Sequence, residues 1–198
     1  DCDVIKYIII DTETTGLDPE KHEMIAFGAI VMIDHIITEK IEIKWHPTRP
    51  DAASEEALEI NGYNNYNWRD AISVEEAAAI IRRFLHKHLD GICVGHNLYF
   101  DRRFIFAFAK EHQMDVVMPS PYLDTRDLCR AVLGPYGLHS MRLDNICEFL
   151  GWQRRRAHSA LSDCEDCAKL MQVLSPPSYK FIARLKIQKL IRKIRALL

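Results

Sequence analysis

The sequence predicts an α/β fold: a mixed five-stranded sheet flanked by helices, with a basic helix at the C-terminal end. Three observations carry this. Before Pro50, three β-branched apolar runs follow one another with short links. After Pro50, short apolar strands alternate with helical segments that open on cap residues. From Ser175 onward, seven basic residues and no acidic one accompany apolar residues at helical spacing.

Val4 to Ile10 reads as a buried strand that stops at the polar, Gly-containing stretch Asp11 to Glu20. Met24 to Ile33 is the second strand. Asp34-His35 turns the chain into a third, Ile36 to Trp45, in which Ile37, Ile41 and Ile43 alternate with polar residues. Three strands with short links form an antiparallel meander. Ser54 caps a short helix through Ile60, which Asn61-Gly62 ends. Ser73 with Glu76 is a capping box opening a helix to about Leu89. Ile92 to Val94 is a short strand, and Asn97 is placed to cap the helix carrying Asp101. Tyr122-Leu123-Asp124 ends a further strand. Helices follow near Thr125–Leu133, Leu143–Leu150 and Ser159–Leu174. Pro176-Pro177 closes this unit, and a last helix spans Tyr179 to Leu197. Antiparallel strands followed by strand–helix alternation give a mixed sheet with helices on its faces. We expect one domain over 1–174 and an appended helix over 175–198.

Of 198 residues, 48% are hydrophobic and 27% charged, which suits a globular core able to fold without disulfide staples. Six cysteines are too few for a disulfide scaffold and read as reduced thiols of an intracellular, cytoplasmic protein. No apolar run is long enough to cross a bilayer, and Val4 to Ile10 is too short for a signal peptide. The net charge of −2 hides an asymmetry: before Ser175 stand 19 basic and 28 acidic residues. Such an acidic body does not grip nucleic acid by charge alone. It suits a protein in which several acids are metal ligands.

Asp11 and Glu13 lie two apart at the end of the first strand, so they project from the same face. With 15 Asp and 13 Glu in the chain, an Asp-x-Glu is expected by chance about once, so the pair alone is weak. Asp101 falls in the first or second turn of its helix, where a helix dipole alone would favour an acid. Ser159 caps the last helix of the body, leaving His158 in the preceding loop and Asp163 about one turn in. Taken singly, Asp11 with Glu13 and Asp101 read better as ordinary acids, and His158 with Asp163 equally well as surface groups. Together they gain weight, because open sheets place sites beyond strand ends and at helix starts. Four gathered carboxylates repel and raise one another's pKa values unless cations neutralise them. An all-oxygen set favours Mg²⁺ or Mn²⁺ over zinc or copper.

Asp11-x-Glu13-x-Thr15-Gly16, Asn97-x-x-Phe100-Asp101 and His158-x-Ala160-x-x-Asp163, in that order, resemble the DEDD exonuclease superfamily. The histidine branch (DEDDh) fits best, since Ser159 stands where the other branch has Tyr. The resemblance runs over about residues 4 to 174 and includes proofreading epsilon subunits, ribonuclease T and oligoribonucleases. Asp124-Thr125, Leu143-x-x-Ile146-Cys147 and Gly151 also look like the family. Asn61-Gly62 stands where many proofreading subunits have His-Gly, and Phe27 where an acid commonly precedes the Gly.

The resemblance implies a ribonuclease H-like fold and 3′-5′ exonuclease activity that releases nucleoside 5′-monophosphates. It implies two Mg²⁺ or Mn²⁺ ions held by Asp11, Glu13, Asp101 and Asp163. His158 would be the general base. Thr12, Thr14, Leu17 and Asn97 would contact substrate: Thr14 near the terminal 3′-OH, Leu17 wedged beside the last base, Asn97 orienting the site or capping its helix. The partner implied is a nucleic acid with a free, single-stranded 3′ end. DNA is slightly favoured over the alternative of RNA trimming, and a catalytically silent binding module is the rival from another class. Cys164-x-x-Cys167 lacks further zinc ligands and reads as two small buried side chains. The basic tail suits packing on the body or docking on a partner or second copy, then contact with phosphates, and least a membrane surface.

Overall fold

The computed structural model describes residues 4–154, 159–176 and 179–196. Its centre is strand β1 (Lys6–Thr14), which pairs antiparallel with β2 (Met24–Ile33) and parallel with β4 (Ile92–Gly95). Strand β3 (Ile36–Lys44) extends the antiparallel side and β5 (Tyr122–Asp124) the parallel side, giving the order β3-β2-β1-β4-β5. The predicted mixed five-stranded sheet is therefore present.

Alternation along β1 sorts its side chains between two helical layers. Ile8 and Ile10 point into a core shared with α2 (Val74–Lys87) and α3 (Leu98–Glu111). Tyr7 and Ile9 point the other way, against Cys164, Cys167 and Met171 of α6 (Ala160–Leu174). A third cluster joins α4 (Thr125–Leu133), α5 (Leu143–Leu150), α6 and the C-terminal α7 (Tyr179–Arg195). Leu185 of α7 is buried there beside the partly buried Phe181 and Ile182.

The predicted caps at Ser54, Ser73 and Ser159 each accept a backbone hydrogen bond, from Ala57, Glu76 and Ser162. Gly62 ends α1 (Glu55–Asn61) at φ 66°, the left-handed conformation that favours glycine. Three expectations need correcting. Strand β1 does not stop before Asp11 but runs to Thr14, because β-branched threonines continue its ladder to β2, with a register shift at Glu13/Thr14. Strand β3 ends at Lys44 rather than Trp45. Asn97 does not cap α3 with its side chain; it sits at φ 66°, and the carboxylate of Asp124 takes that role.

Helix α6 can cross β2 closely only because residue 28 is glycine. A Cβ there would lie 2.5 Å from the Ala160 carbonyl carbon and 2.7 Å from the Leu161 nitrogen. Both are backbone atoms at the start of α6 and cannot swing aside. Gly28→Ala should therefore push α6 outward and lower stability by about 1–3 kcal/mol, the usual scale of overpacking. A melting temperature equal to wild type would show that α6 can shift without cost.

Candidate active site

Asp11 and Glu13 follow Ile9 on the face of β1 that meets α6. Thr12 points to the opposite face, toward α3. Its backbone N–H and its hydroxyl both donate to Asp101 Oδ1, at 2.9 and 2.8 Å. This fixes the buried Asp101 carboxylate against β1, on the first turn of α3. Asp163 arrives from α6, one turn after Ser159. The three segments that the sequence singled out thus converge at one end of β1.

Electrostatics record the convergence. Burial and then the charges of Asp101, Asp163 and Glu13 raise the Asp11 pKa well above the ordinary carboxylate range. Burial, then Asp163, Asp101 and Glu42, push Glu13 up to about 9. Burial pushes Asp101 up to about 7, although the two hydrogen bonds from Thr12 oppose the rise. Each shift reflects the cost of holding a charge away from water beside like charges.

Arg154, which sequence reasoning passed over, supplies opposing charge. Its guanidinium donates to Asp163 and Asp144 and, at 2.7 Å, to Asp166. Asp124 is a second residue not foreseen in its full role. Its carboxylate accepts from the backbone N–H groups of Asn97, Leu98 and Arg126, and so ties the starts of α3 and α4 together. The signal present was Asp124-Thr125 itself; Asn97 and Leu98 lie too far away in sequence for their pairing with it to be read. Thr125, fully buried, donates to the Gly95 carbonyl and meets His96 Nδ1 at 2.8 Å.

The remaining expected site residues are placed as follows. The Thr14 hydroxyl donates to the Gly16 carbonyl, and Asn61 Nδ2 donates to the Thr14 carbonyl. Leu17 is 78% exposed at the turn after β1. Asn97 Oδ1 accepts from Arg126 at 2.6 Å. His158 lies outside the described residues. A cavity of about 410 Å³ opens beside Asp163, with His96, Asn97, Arg126, Arg142 and Arg154 on its walls. Cys164 and Cys167 are buried under β1 and β2, and burial raises both thiol pKa values.

A family model described as exonuclease, the RNase_T family, matches residues 8–171. The chain belongs to this exonuclease family. A PolC-type DNA polymerase III of Thermotoga maritima is 33% identical over 164 residues, covering 83% of this chain but 11% of that protein. The chain thus spans a small part of the PolC-type relatives. The DNA polymerase III epsilon subunit of Aquifex aeolicus is 30% identical over 176 residues, 88% of this chain and 83% of that one. Exonuclease I of E. coli, solved with a dT13 oligonucleotide, superposes with a TM-score of 0.76 at 18% identity, over 91% of this chain and 43% of that one. That likeness establishes the ribonuclease H-like fold of this chain.

Members of the family generally use divalent metal ions, and one exonuclease I structure is described as a zinc-ion form. Among the described residues, no group of three or more Asp, Glu, His or Cys side chains is arranged to hold a metal ion as it stands. Asp101 is turned to Thr12 and Asp163 to Arg154. The donor set nevertheless fits a hard cation. Its oxygens come from carboxylates, and the raised pKa values of Asp11, Glu13 and Asp101 report crowded negative charge that a divalent ion would relieve.

The sign of those shifts sets the pH dependence. A carboxyl whose folded pKa is raised adds stability that is complete below its unfolded pKa, near 4, and is lost as pH rises through the folded value. For Asp101 and Glu13 the loss runs up to about 7 and about 9. In EDTA, the melting temperature should therefore fall between about pH 5 and 9. Mg²⁺ or Mn²⁺ should raise it, and by more at the alkaline end. A metal-induced rise that is the same at both ends would contradict the carboxylate cluster as the binding site.

Proposed function

We propose that this chain is a metal-dependent 3′-5′ exonuclease that releases nucleoside 5′-monophosphates, with DNA preferred over RNA. The observation that carries the proposal is the gathering of Asp11, Glu13 and Asp101 at one end of β1 with raised pKa values, the charge of Asp163 adding to the rise at Asp11 and Glu13. The DNA-processing relatives support the preference for DNA.

Asp11, Glu13, Asp101 and Asp163 would hold two divalent cations, Mg²⁺ or Mn²⁺. Such ions supply charge stabilisation at the phosphoryl group and acidify an attacking water. The chain's own residues do the rest. Thr12 fixes Asp101 against the end of β1 through its two hydrogen bonds. Asn61 holds the Thr14 carbonyl, and with it the strand end that would receive the terminal nucleoside, while Leu17 stands exposed to meet the last base. Asn97, fixed by Arg126, would orient the neighbouring strand. His158 is assigned the proton-accepting role by its motif alone; it precedes the capping Ser159 directly in sequence, and its reference pKa near 6.5 suits that work at neutral pH. Residues 1–174 would form the catalytic unit and 175–198 an appended helix, seated through Phe181, Ile182 and Leu185. A polymerase partner is the natural setting for such a unit, by analogy with the epsilon subunit.

Asp11→Asn and Asp163→Asn should each lower nuclease activity by on the order of a thousandfold or more. Asp11→Asn should stay folded and melt no lower than wild type in EDTA, because one charge leaves a repelling cluster. The assay uses oligonucleotides labelled at the 5′ end, as matched DNA and RNA, with Mg²⁺. Progressive shortening from the 3′ end, faster on DNA, is expected. Release of the 5′ label first, or near-normal rates in either variant, would overturn the assignment.

A further inference from the structure

Helix α3 buries Asp101, Phe104, Ile105 and Phe108 on one side. Its other side carries Tyr99, Arg102, Arg103 and Phe106, at the i, i+3, i+4 and i+7 positions that form one stripe along a helix. Tyr99 is 68% exposed and Phe106 42%. Arg102 lies over the Tyr122 ring at 3.9 Å and Arg103 near the Tyr99 ring at 5.7 Å. Among the described residues neither arginine is in an ion pair. The Arg102 Nε atom is buried without a hydrogen-bond partner. The stripe forms one wall of a cavity of about 330 Å³ whose other wall is Pro19 and Glu20 of the turn after β1. The exposed Leu17 belongs to the same turn.

An exposed pair of aromatic rings interleaved with two arginines that lack acidic partners is unusual on so acidic a body. Tyrosine and phenylalanine faces exposed to water gain by stacking with other flat rings, and unpaired guanidiniums gain by meeting phosphates. Single-stranded nucleic acid offers both at once; an acidic peptide offers only the charge. The stripe starts beside Asp101, in the first turn of the same helix, and Tyr99 to Phe106 spans about 10 Å along the axis. Glu20 on the opposite wall places negative charge across the cavity from the two arginines.

We propose that the outer face of α3 is a stacking track for the single-stranded segment leading to the active site, with bases against Tyr99 and Phe106 and phosphates against Arg102 and Arg103. The proposal rests on the exonuclease reading above and adds the path the strand takes.

The test uses the full chain carrying Asp163→Asn, so that binding is read without cleavage. Fluorescence anisotropy measures affinity for a labelled oligonucleotide of about 12 nucleotides, with and without Tyr99→Ala and Phe106→Ala together. Each ring removed takes away a stacking face, so the double change should weaken binding at least tenfold. With Asp163 restored, the ratio of KM for that oligonucleotide to KM for a dinucleotide should rise by a similar factor. Tyr99→Phe, which keeps the ring, should restore most of the loss due to Tyr99→Ala. Unchanged affinity and an unchanged KM ratio, in a chain that still digests DNA, would overturn the track alone. A wild-type chain that neither binds nor digests the oligonucleotide would overturn both readings.

Discussion

Repulsion among carboxylates held out of water at the end of β1 is the constraint on which the rest of the structure depends. Asp11, Glu13 and Asp101 all have raised pKa values, with burial the first cause and neighbouring acids adding to it. Left to itself, such a cluster would spread apart or take up protons. The fold prevents the spreading. The Thr12 amide and hydroxyl pin Asp101 to β1. Gly28 admits the start of α6 against β2, which sets Asp163 beside the strand. Arg154 draws Asp144, Asp163 and Asp166 together around one guanidinium.

The helices around the site are anchored by groups that also shape it. Asp124 accepts from the first amides of α3 and from Arg126 of α4, so one carboxylate orients the helix that carries Asp101 and the helix that carries Arg126. Arg126 in turn grips Asn97 at the mouth of the cavity beside Asp163. On the other side, Glu42 of β3 accepts from the Leu161 amide at the start of α6 while adding to the negative charge felt by Glu13. Stability and charge are thus handled by the same residues. This is why the site occupies the end of the sheet's central strand, where both helical layers can reach it.

Much of this was legible in the sequence because it is local. Strand alternation placed Asp11 and Glu13 on one face, serine caps marked three helix starts, and Gly62 marked a helix end. Three motifs in a fixed order brought Asp101 and Asp163 to the same site before any contact was known. What was not legible depends on packing between distant segments. Arg154 follows α5 by a few residues and shows no motif; its role exists only because α6 passes beside it. Asn97 looked like a cap but sits in the left-handed conformation, and the cap came from Asp124, 26 residues beyond Leu98. The polar composition of Asp11 to Thr14 suggested a turn, yet pairing with β2 carries the strand through it. The basic tail suited either packing on the body or docking on a partner, and the choice rests on contacts no local pattern shows: Phe181, Ile182 and Leu185 pack on the body.

The central claim is that this charge cluster is built to receive divalent cations. Crystals soaked in Mn²⁺ and measured at a wavelength where manganese scatters anomalously test it most directly. The account predicts two anomalous peaks among Asp11, Glu13, Asp101 and Asp163, with Asp163 turned from Arg154 to an ion. An absence of peaks there at saturating Mn²⁺, with Asp163 still paired to Arg154, would contradict it.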